Sequence, residues 1–178
     1  MMPDEVLFRN QWMSVRVRNG WYTYSHNEKG DGVGILIWDS EKGKILVRSE
    51  HNPCHIPLAG EENEDEREYT SFTGTIENGL SPEETAVLET KEESGYEIIK
   101  DDLTPLGWIY PFKFSDYKQY LFAIDVKGKT SGKILGDGTR GEEDATTEWF
   151  STNEAIFLNE PLIGTMLMRL MNGFLKNG

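Results

Sequence analysis

The sequence contains a single cysteine, three histidines and no long apolar segment. Cys54 cannot form an internal disulfide, and a lone thiol is typical of a reducing, intracellular setting. No apolar run approaches the ~20 residues that span a bilayer, and the segment Met1 to Arg9 lacks the basic and apolar regions of a secretory signal. We therefore expect a soluble, cytoplasmic protein with no membrane partner.

Positive charge is also scarce, because 18 Lys and Arg face 31 Asp and Glu, which gives a net charge of -13. Such a surface repels phosphate backbones, so no long nucleic acid is expected as a partner. A small phosphorylated ligand stays compatible with this charge, since bound divalent cations can invert the potential inside one pocket. Most single carboxylates are expected to solvate the surface.

Softer metal ligands are too few for a convincing zinc site. His51, Cys54 and His55 lie close together in sequence, but a four-coordinate site would need Asp or Glu to complete it. A loop with incidental histidines is the preferred interpretation.

The sequence has no internal repeat and no low-complexity linker, and its length favours one domain over residues 1–178. Asn19-Gly20 predicts the turn of a hairpin from Trp12 to Ser25, within an N-terminal extension of residues 1–25. Irregular segments are predicted at 51–68 and 127–141. Further strands are predicted at 32–38, 44–47, 69–75, 103–110, 117–126 and 146–150.

A helix is predicted after Ser81, which is a good N-cap residue followed by Pro82 and by Glu84 at the capping-box position. Gly95 marks its end. A C-terminal helical region is expected at 152–175, with a break at 159–161. Many strands and few helices, without regular alternation, indicate an α+β fold with a mixed sheet.

The central helix carries three bunched carboxylates. Glu89, Glu92 and Glu93 stand at i, i+3 and i+4, which predicts that they share one helix face, whereas Ala86, Val87 and Thr90 are expected on another face that packs on the sheet. Hard oxygen ligands grouped in this way suit Mg²⁺ or Mn²⁺. On the glutamates alone, a solvated acidic face is the alternative.

The segment 74–96, GTIENGLSPEETAVLETKEESGY, resembles the Nudix box, G-x5-E-x7-R-E-U-x-E-E-x-G-U with U aliphatic. The matching residues are Gly74, Glu89, Glu92, Glu93 and Gly95, and Thr90 and Tyr96 stand at the two U positions.

Two positions depart from the box, because Leu80 replaces its first Glu and Leu88 replaces its Arg. In the family these two residues usually pair. Replacing both partners of an ion pair by apolar residues can be neutral, whereas losing one partner is costly. The joint replacement therefore predicts a retained loop–helix contact of apolar character, with an effect on the orientation of Glu89 and on the rate.

The resemblance implies the Nudix fold, a mixed β-sheet between helices (α/β/α), and hydrolysis of a nucleoside diphosphate linked to another moiety. It implies Mg²⁺ or Mn²⁺ as cofactor, Glu89, Glu92 and Glu93 as metal ligands, and Glu89 as a catalytic residue. The products would include a nucleoside monophosphate.

Within the family the chain looks most like the ADP-ribose pyrophosphatases, in which a proline follows the box in a Ser-Pro-Gly-like segment. Pro111 stands fifteen residues after Tyr96 but lacks the flanking Ser and Gly, and an ordinary turn proline is the alternative. That group carries its catalytic Glu in an acidic loop, and the segment 141–144 is similar. Glu143 aligns best as general base or further metal ligand, with Glu142 as the alternative residue. An ordinary exposed acidic loop is the competing interpretation.

Four residues are candidates for binding a small nucleotide substrate. Arg48 ends a strand where the resemblance expects a phosphate contact, and its guanidinium suits a phosphate, with a surface ion pair as the alternative. Gly74 opens the box. Trp108 and Tyr110 are candidates to stack on a base, although aromatic residues in a β-region more often pack in the core, and Phe112 shares this interpretation.

Other functions stay open at this level. The two leucines in the box favour a catalytically inactive nucleotide-binding module as one alternative. Dinucleoside polyphosphates, NADH, FAD and capped RNA are alternative substrates. The resemblance also brings N-terminal strands that pair or pack between subunits, and hence a homodimer.

Overall fold

A three-stranded antiparallel sheet forms the N-terminal part of the chain. The computed structural model describes residues 4–51, 67–134 and 145–177, and this sheet consists of β1 (Glu5–Arg9), β2 (Met13–Arg18) and β3 (Tyr22–Asn27) in that order. The β2–β3 turn has positive φ at both Asn19 (55°) and Gly20 (75°), as a tight hairpin turn requires. The predicted hairpin is present, and β1 extends it by a strand that the sequence analysis did not include.

A second, seven-stranded sheet forms the centre of the molecule. Its main path runs β10-β5-β4-β9-β8, with β4 and β9 parallel and the other pairs antiparallel. Its strands are β4 (Gly32–Asp39), β5 (Lys44–His51), β6 (Arg67–Thr70), β7 (Phe72–Thr75), β8 (Leu103–Ile109), β9 (Gln119–Asp125) and β10 (Thr146–Ser151).

The two strands β6 and β7 split the sheet. β4 pairs with β5 only at residues 37–39 and 44–46; beyond this point β5 pairs with β6, and the first half of β4 pairs with β7. The predicted single strand 69–75 is therefore two strands. His51, Arg67 and Glu68 belong to strands and not to the predicted loop, because the β5–β6 ladder extends to His51↔Arg67.

Helices cover both faces of the central sheet. One core lies between the sheet and α1 (Pro82–Ser94) and includes Ile35, Leu46, Phe72 and Ala86. The other core lies on the opposite face and includes Val47, Leu121 and Met166, the last from α3 (Pro161–Asn177). This mixed sheet between helices confirms the predicted α+β fold of α/β/α type.

Local signals set the helix ends. Ser81 caps α1 by accepting a hydrogen bond from the Glu84 N–H (3.2 Å), and the Glu84 carboxylate accepts one from the Ser81 N–H (2.8 Å). Gly95 ends the helix in the left-handed conformation (φ 73°), as expected for a C-terminal glycine. The C-terminal region divides, as predicted, into α2 (Thr152–Ala155) and α3; a short 3-10 helix (Lys100–Asp102) follows α1.

None of the helices in residues 4–51, 67–134 and 145–177 is both long and apolar enough to cross a membrane.

Candidate active site

Strand β7 lies along the face of α1 that carries the carboxylates. The Thr73 N–H donates a hydrogen bond to Oε2 of Glu93 (3.3 Å). A Cβ built on the neighbouring Gly74 would lie 2.0 Å from Oε1 of Glu89. Two consecutive strand residues therefore contact the side chains of Glu89 and Glu93, one helical turn apart, and Gly74 is required because no larger residue leaves room for the Glu89 carboxylate.

Glu93 lies on the side of α1 that faces the sheet. Its exposed fraction is 7%, and it is buried together with Ala86 and Thr90. The prediction that all three glutamates project from a different face than Ala86 and Thr90 is wrong for Glu93. Glu93 follows Ala86 by seven residues, which is nearly two full helical turns, so the two side chains lie on the same face. Glu89 and Glu92 are half-buried.

Arg48 is the counter-charge of Glu93. In β5, Leu46 faces the α1-side core, and Arg48 projects from the same face because side chains alternate along a strand. Its guanidinium forms an ion pair with Oε1 of Glu93 and lies 3.1 Å, through Nε, from Oε2 of Glu50. Only 6% of Arg48 is exposed, so the side chain is surrounded by protein rather than by solvent.

The carboxylates are near one another but do not form a closed metal site. Within residues 4–51, 67–134 and 145–177, no three His, Cys, Asp or Glu side chains are grouped so as to hold a metal ion. The donor set nevertheless suits Mg²⁺. The Glu89 carboxylate lies in the space that the missing Cβ of Gly74 leaves open, and its oxygens are hard ligands.

A cavity of about 980 Å³ opens beside these groups. One wall consists of Glu89, Gly74 and neighbouring residues of the box. Another part of the lining comes from the N-terminal region and includes Trp12 and Lys29, whose ammonium nitrogen lies 4.9 Å from the Trp12 ring centroid. The two sheets therefore share one cavity, whose volume is that of a typical small-molecule site.

Tyr117 also lines this cavity. Burial, and secondarily the nearby Asp31 carboxylate, raises the pKa of its hydroxyl to about 12. Tyr117 thus stays protonated at neutral pH and can donate a hydrogen bond. A Cβ on Gly32 would lie 2.0 Å from the Tyr117 hydroxyl oxygen. The position of the Tyr117 ring therefore requires glycine at residue 32 of the buried strand β4.

Sequence reasoning missed Trp12, Lys29 and Tyr117. The one available signal was Gly32 in an otherwise apolar strand, since glycine inside a strand marks the close approach of another group. Trp12 and Lys29 had no comparable signal, because only the packing of the two sheets brings them to the box.

Trp108 and Tyr110 are exposed (49% and 54%) and not in the core. Their rings form an edge-to-face pair with centroids 5.3 Å apart. Trp108 lies opposite Tyr120, which packs against the α1-side core, so Trp108 projects from the same sheet face as the glutamates. The described lining of the 980 Å³ cavity does not include either ring, and Tyr110 lines a smaller pocket with Tyr22 and Phe112.

The two box leucines lie at the surface, with exposed fractions of 36% for Leu80 and 41% for Leu88. Any contact between them therefore replaces a surface interaction and not a buried one. Four other residues discussed in the sequence analysis lie outside the described residues: Cys54 and His55 of the rejected zinc site, and Glu142 and Glu143 of the acidic loop.

A mixed sheet between two helix layers, with a glutamate-bearing helix docked on a glycine-containing strand, is the arrangement that the sequence resemblance led us to expect. Comparison with known proteins agrees. The NUDIX domain family model matches residues 28–169. A solved structure described as an ADP compounds hydrolase superposes with a TM-score of 0.69 at 16% identity, covering 99% of this chain and 94% of that chain. No curated protein matches the chain. The chain belongs to the NUDIX domain family.

Proposed function

We propose that this hydrolase cleaves the pyrophosphate of a nucleoside diphosphate linked to another moiety, with ADP-ribose or a related ADP-sugar or dinucleotide as substrate. The observation that carries this proposal is the shared cavity, whose lining combines box residues with an aromatic ring and an adjacent lysine. A flat ring suits a base, a cation suits a phosphate, and the likeness to an ADP compounds hydrolase favours adenosine.

Mg²⁺ or Mn²⁺ is the proposed cofactor, held by Glu89, Glu92 and Glu93. When bound, such an ion neutralises phosphoryl charge and acidifies water. The chain itself keeps Glu89 against Gly74 and holds Glu93 between Thr73 and Arg48. These contacts orient two carboxylates toward strand β7 before any ligand arrives.

The remaining roles are proposed from the resemblance together with position. Glu89 serves at the reacting centre, and Glu143, or else Glu142, takes the proton from the attacking water. Gly74 offers close backbone approach to the phosphates. Trp108 and Tyr110 extend the binding surface on the same sheet face as the glutamates.

A nucleotide screen tests the proposal. ADP-ribose, ADP-sugars, dinucleoside polyphosphates, NADH, FAD and capped RNA are each incubated with Mg²⁺ or Mn²⁺, and both products are separated by chromatography. We expect AMP from ADP-ribose at the highest kcat/KM. Binding of ADP-ribose without any AMP would instead support the inactive binding module.

The matched variants are Glu89→Gln and Glu83→Gln, which remove one carboxylate each from the same helix. Glu83 is exposed in the first turn. We expect Glu89→Gln to lower kcat by at least about 100-fold with an unchanged melting temperature, and Glu83→Gln to retain wild-type rates. Equal rates in both variants would contradict the proposed role of Glu89.

A further inference from the structure

The Glu93 carboxylate has a partner on each oxygen in the structure described above. Oε1 is ion-paired with the Arg48 guanidinium, and Oε2 accepts the Thr73 N–H. Both charged side chains are more than nine-tenths buried. A buried carboxylate is costly unless it is paired and hydrogen-bonded, and these contacts supply both to Glu93 without a metal ion.

The same arrangement opposes a cation at Glu93. A divalent ion bound to this carboxylate would lie a few ångströms from the positive guanidinium. Their repulsion is weakly screened because the pair is buried. Glu50 balances part of the Arg48 charge through the Nε contact of 3.1 Å, and it gives the guanidinium a second anchor on its own strand if Glu93 turns toward an ion.

We propose that Arg48 is an internal counter-ion of Glu93 that competes with the divalent cation for that carboxylate and so sets the cation affinity. This proposal rests on the metal site of the proposed function. Arg48 is then a positioning residue that acts through Glu93. This role explains why the guanidinium is buried among carboxylates, where a residue that binds substrate phosphate would need an open path to the cavity.

Binding of Mn²⁺ to the substrate-free protein, followed by the EPR signal of the free ion, tests this role. Arg48→Gln keeps a side-chain donor for Oε1 of Glu93 but removes the charge, and we expect its Mn²⁺ dissociation constant to fall about tenfold. Arg48→Lys keeps the charge and should stay within about twofold of wild type. Lys127→Met removes one exposed charge that lies outside the box sequence and should also match wild type.

The outcomes separate the two hypotheses. If wild-type protein binds Mn²⁺ and Arg48→Gln binds it no more tightly, competition by Arg48 is overturned while the metal site stands. If wild-type protein binds no Mn²⁺ at all, with or without ADP-ribose, the metal site fails and the competition fails with it.

A measurement on wild-type protein covers the case in which Arg48→Gln does not fold. The side-chain Nε–H resonance of Arg48 is assigned by its loss in Arg48→Lys. We expect this resonance to shift and its hydrogen exchange to accelerate on saturation with diamagnetic Mg²⁺. An unchanged resonance at full Mg²⁺ occupancy would overturn the proposal, because the ion pair would then be indifferent to the cation.

Discussion

Glycine at position 74 determines where the Glu89 carboxylate can lie. A methyl group there would overlap Oε1, Cδ and Cγ of Glu89, all within 2.3 Å. Because the overlapping atoms belong to the end of a flexible side chain, the protein can relieve the overlap by moving Glu89 rather than by unfolding. The contact therefore controls the geometry of the site more than the stability of the fold.

We accordingly expect Gly74→Ala to lower kcat/KM by roughly 100-fold, as a misplaced reacting group does, with a loss in unfolding free energy below about 2 kcal/mol. Steady-state kinetics and chemical denaturation measure the two effects. Gly164→Ala is the control, because a Cβ at Gly164 meets nothing within 4 Å; it should keep full activity. A Gly74→Ala enzyme with wild-type kinetics would contradict the proposed position of Glu89.

Leu80 and Leu88 make a second test at the level of single residues. We expect Leu80→Glu combined with Leu88→Arg to be better tolerated than either change alone, since the double variant restores the opposite charges of the family. Both positions are exposed, so the coupling should not exceed about 1 kcal/mol. A double-mutant cycle on melting temperature and kcat measures it, and strictly additive effects would refute the loop–helix coupling.

The helix α1 is the element that the sequence predicted best, and for a local reason. Its cap at Ser81, its capping box with Glu84 and its end at Gly95 depend on neighbouring residues only. The hairpin around Asn19-Gly20 is similarly local. Strand β1 is different: all five of its residues are exposed, so it has no alternation of buried and exposed side chains that a sequence pattern could reveal.

The candidate site was predictable where it lies within the box and not where distant segments meet. Glu89 and Gly74 were named from the motif alone. The ion pair of Arg48 with Glu93, and the cavity wall formed by Trp12 and Lys29, depend on the register of β5 against α1 and on the packing of the two sheets. Such contacts carry no signature in a single sequence.

The capping box at the start of α1 also predicts a pH effect. The hydrogen bond from the Lys100 ammonium has the largest effect on the Glu84 carboxyl, and the bond from the Ser81 N–H has the next largest. Together they hold the pKa of Glu84 at about 2, below its ordinary value of 4.5. A lowered carboxyl pKa stabilises the folded state above the ordinary pKa, and this contribution is lost as the pH falls from 4.5 toward 2.

We expect the melting temperature of Glu84→Gln to depend less on pH than that of the wild type between about pH 5 and 2. The two proteins should differ most at neutral pH and converge in acid. Lys100→Met should reduce the same dependence, because it removes the main cause of the low pKa. Parallel curves for the wild type and both variants would contradict this assignment.

At the scale of the molecule, the N-terminal sheet presents an apolar surface. Val6, Leu7 and Phe8 of β1 and Trp21 are exposed, and an exposed edge strand of this kind can pair with another chain. In the described part of the chain, β1 pairs only with β2. These features support the proposal that the protein forms a homodimer through its N-terminal sheet.

Light scattering coupled to size exclusion tests this assembly. We expect a dimer for the wild type and a monomer for Val6→Glu with Phe8→Glu, because two carboxylates would face the partner's edge. Phe157→Glu replaces an exposed aromatic residue elsewhere, at 85% exposure, and should leave the dimer intact. A monomeric wild type at micromolar concentration would rule the dimer out.

The parallel pairing of β4 with β9 bears on how the chain folds. Gly32 lies opposite Gln119 and Trp38 lies opposite Asp125, so this central ladder joins the beginning of the NUDIX domain to its later part. Contacts between such distant segments form slowly, because the intervening chain must first be closed into a loop. We therefore expect the β2–β3 hairpin to be protected against hydrogen exchange early in refolding and the β4–β9 amides to gain protection in the last, rate-limiting phase.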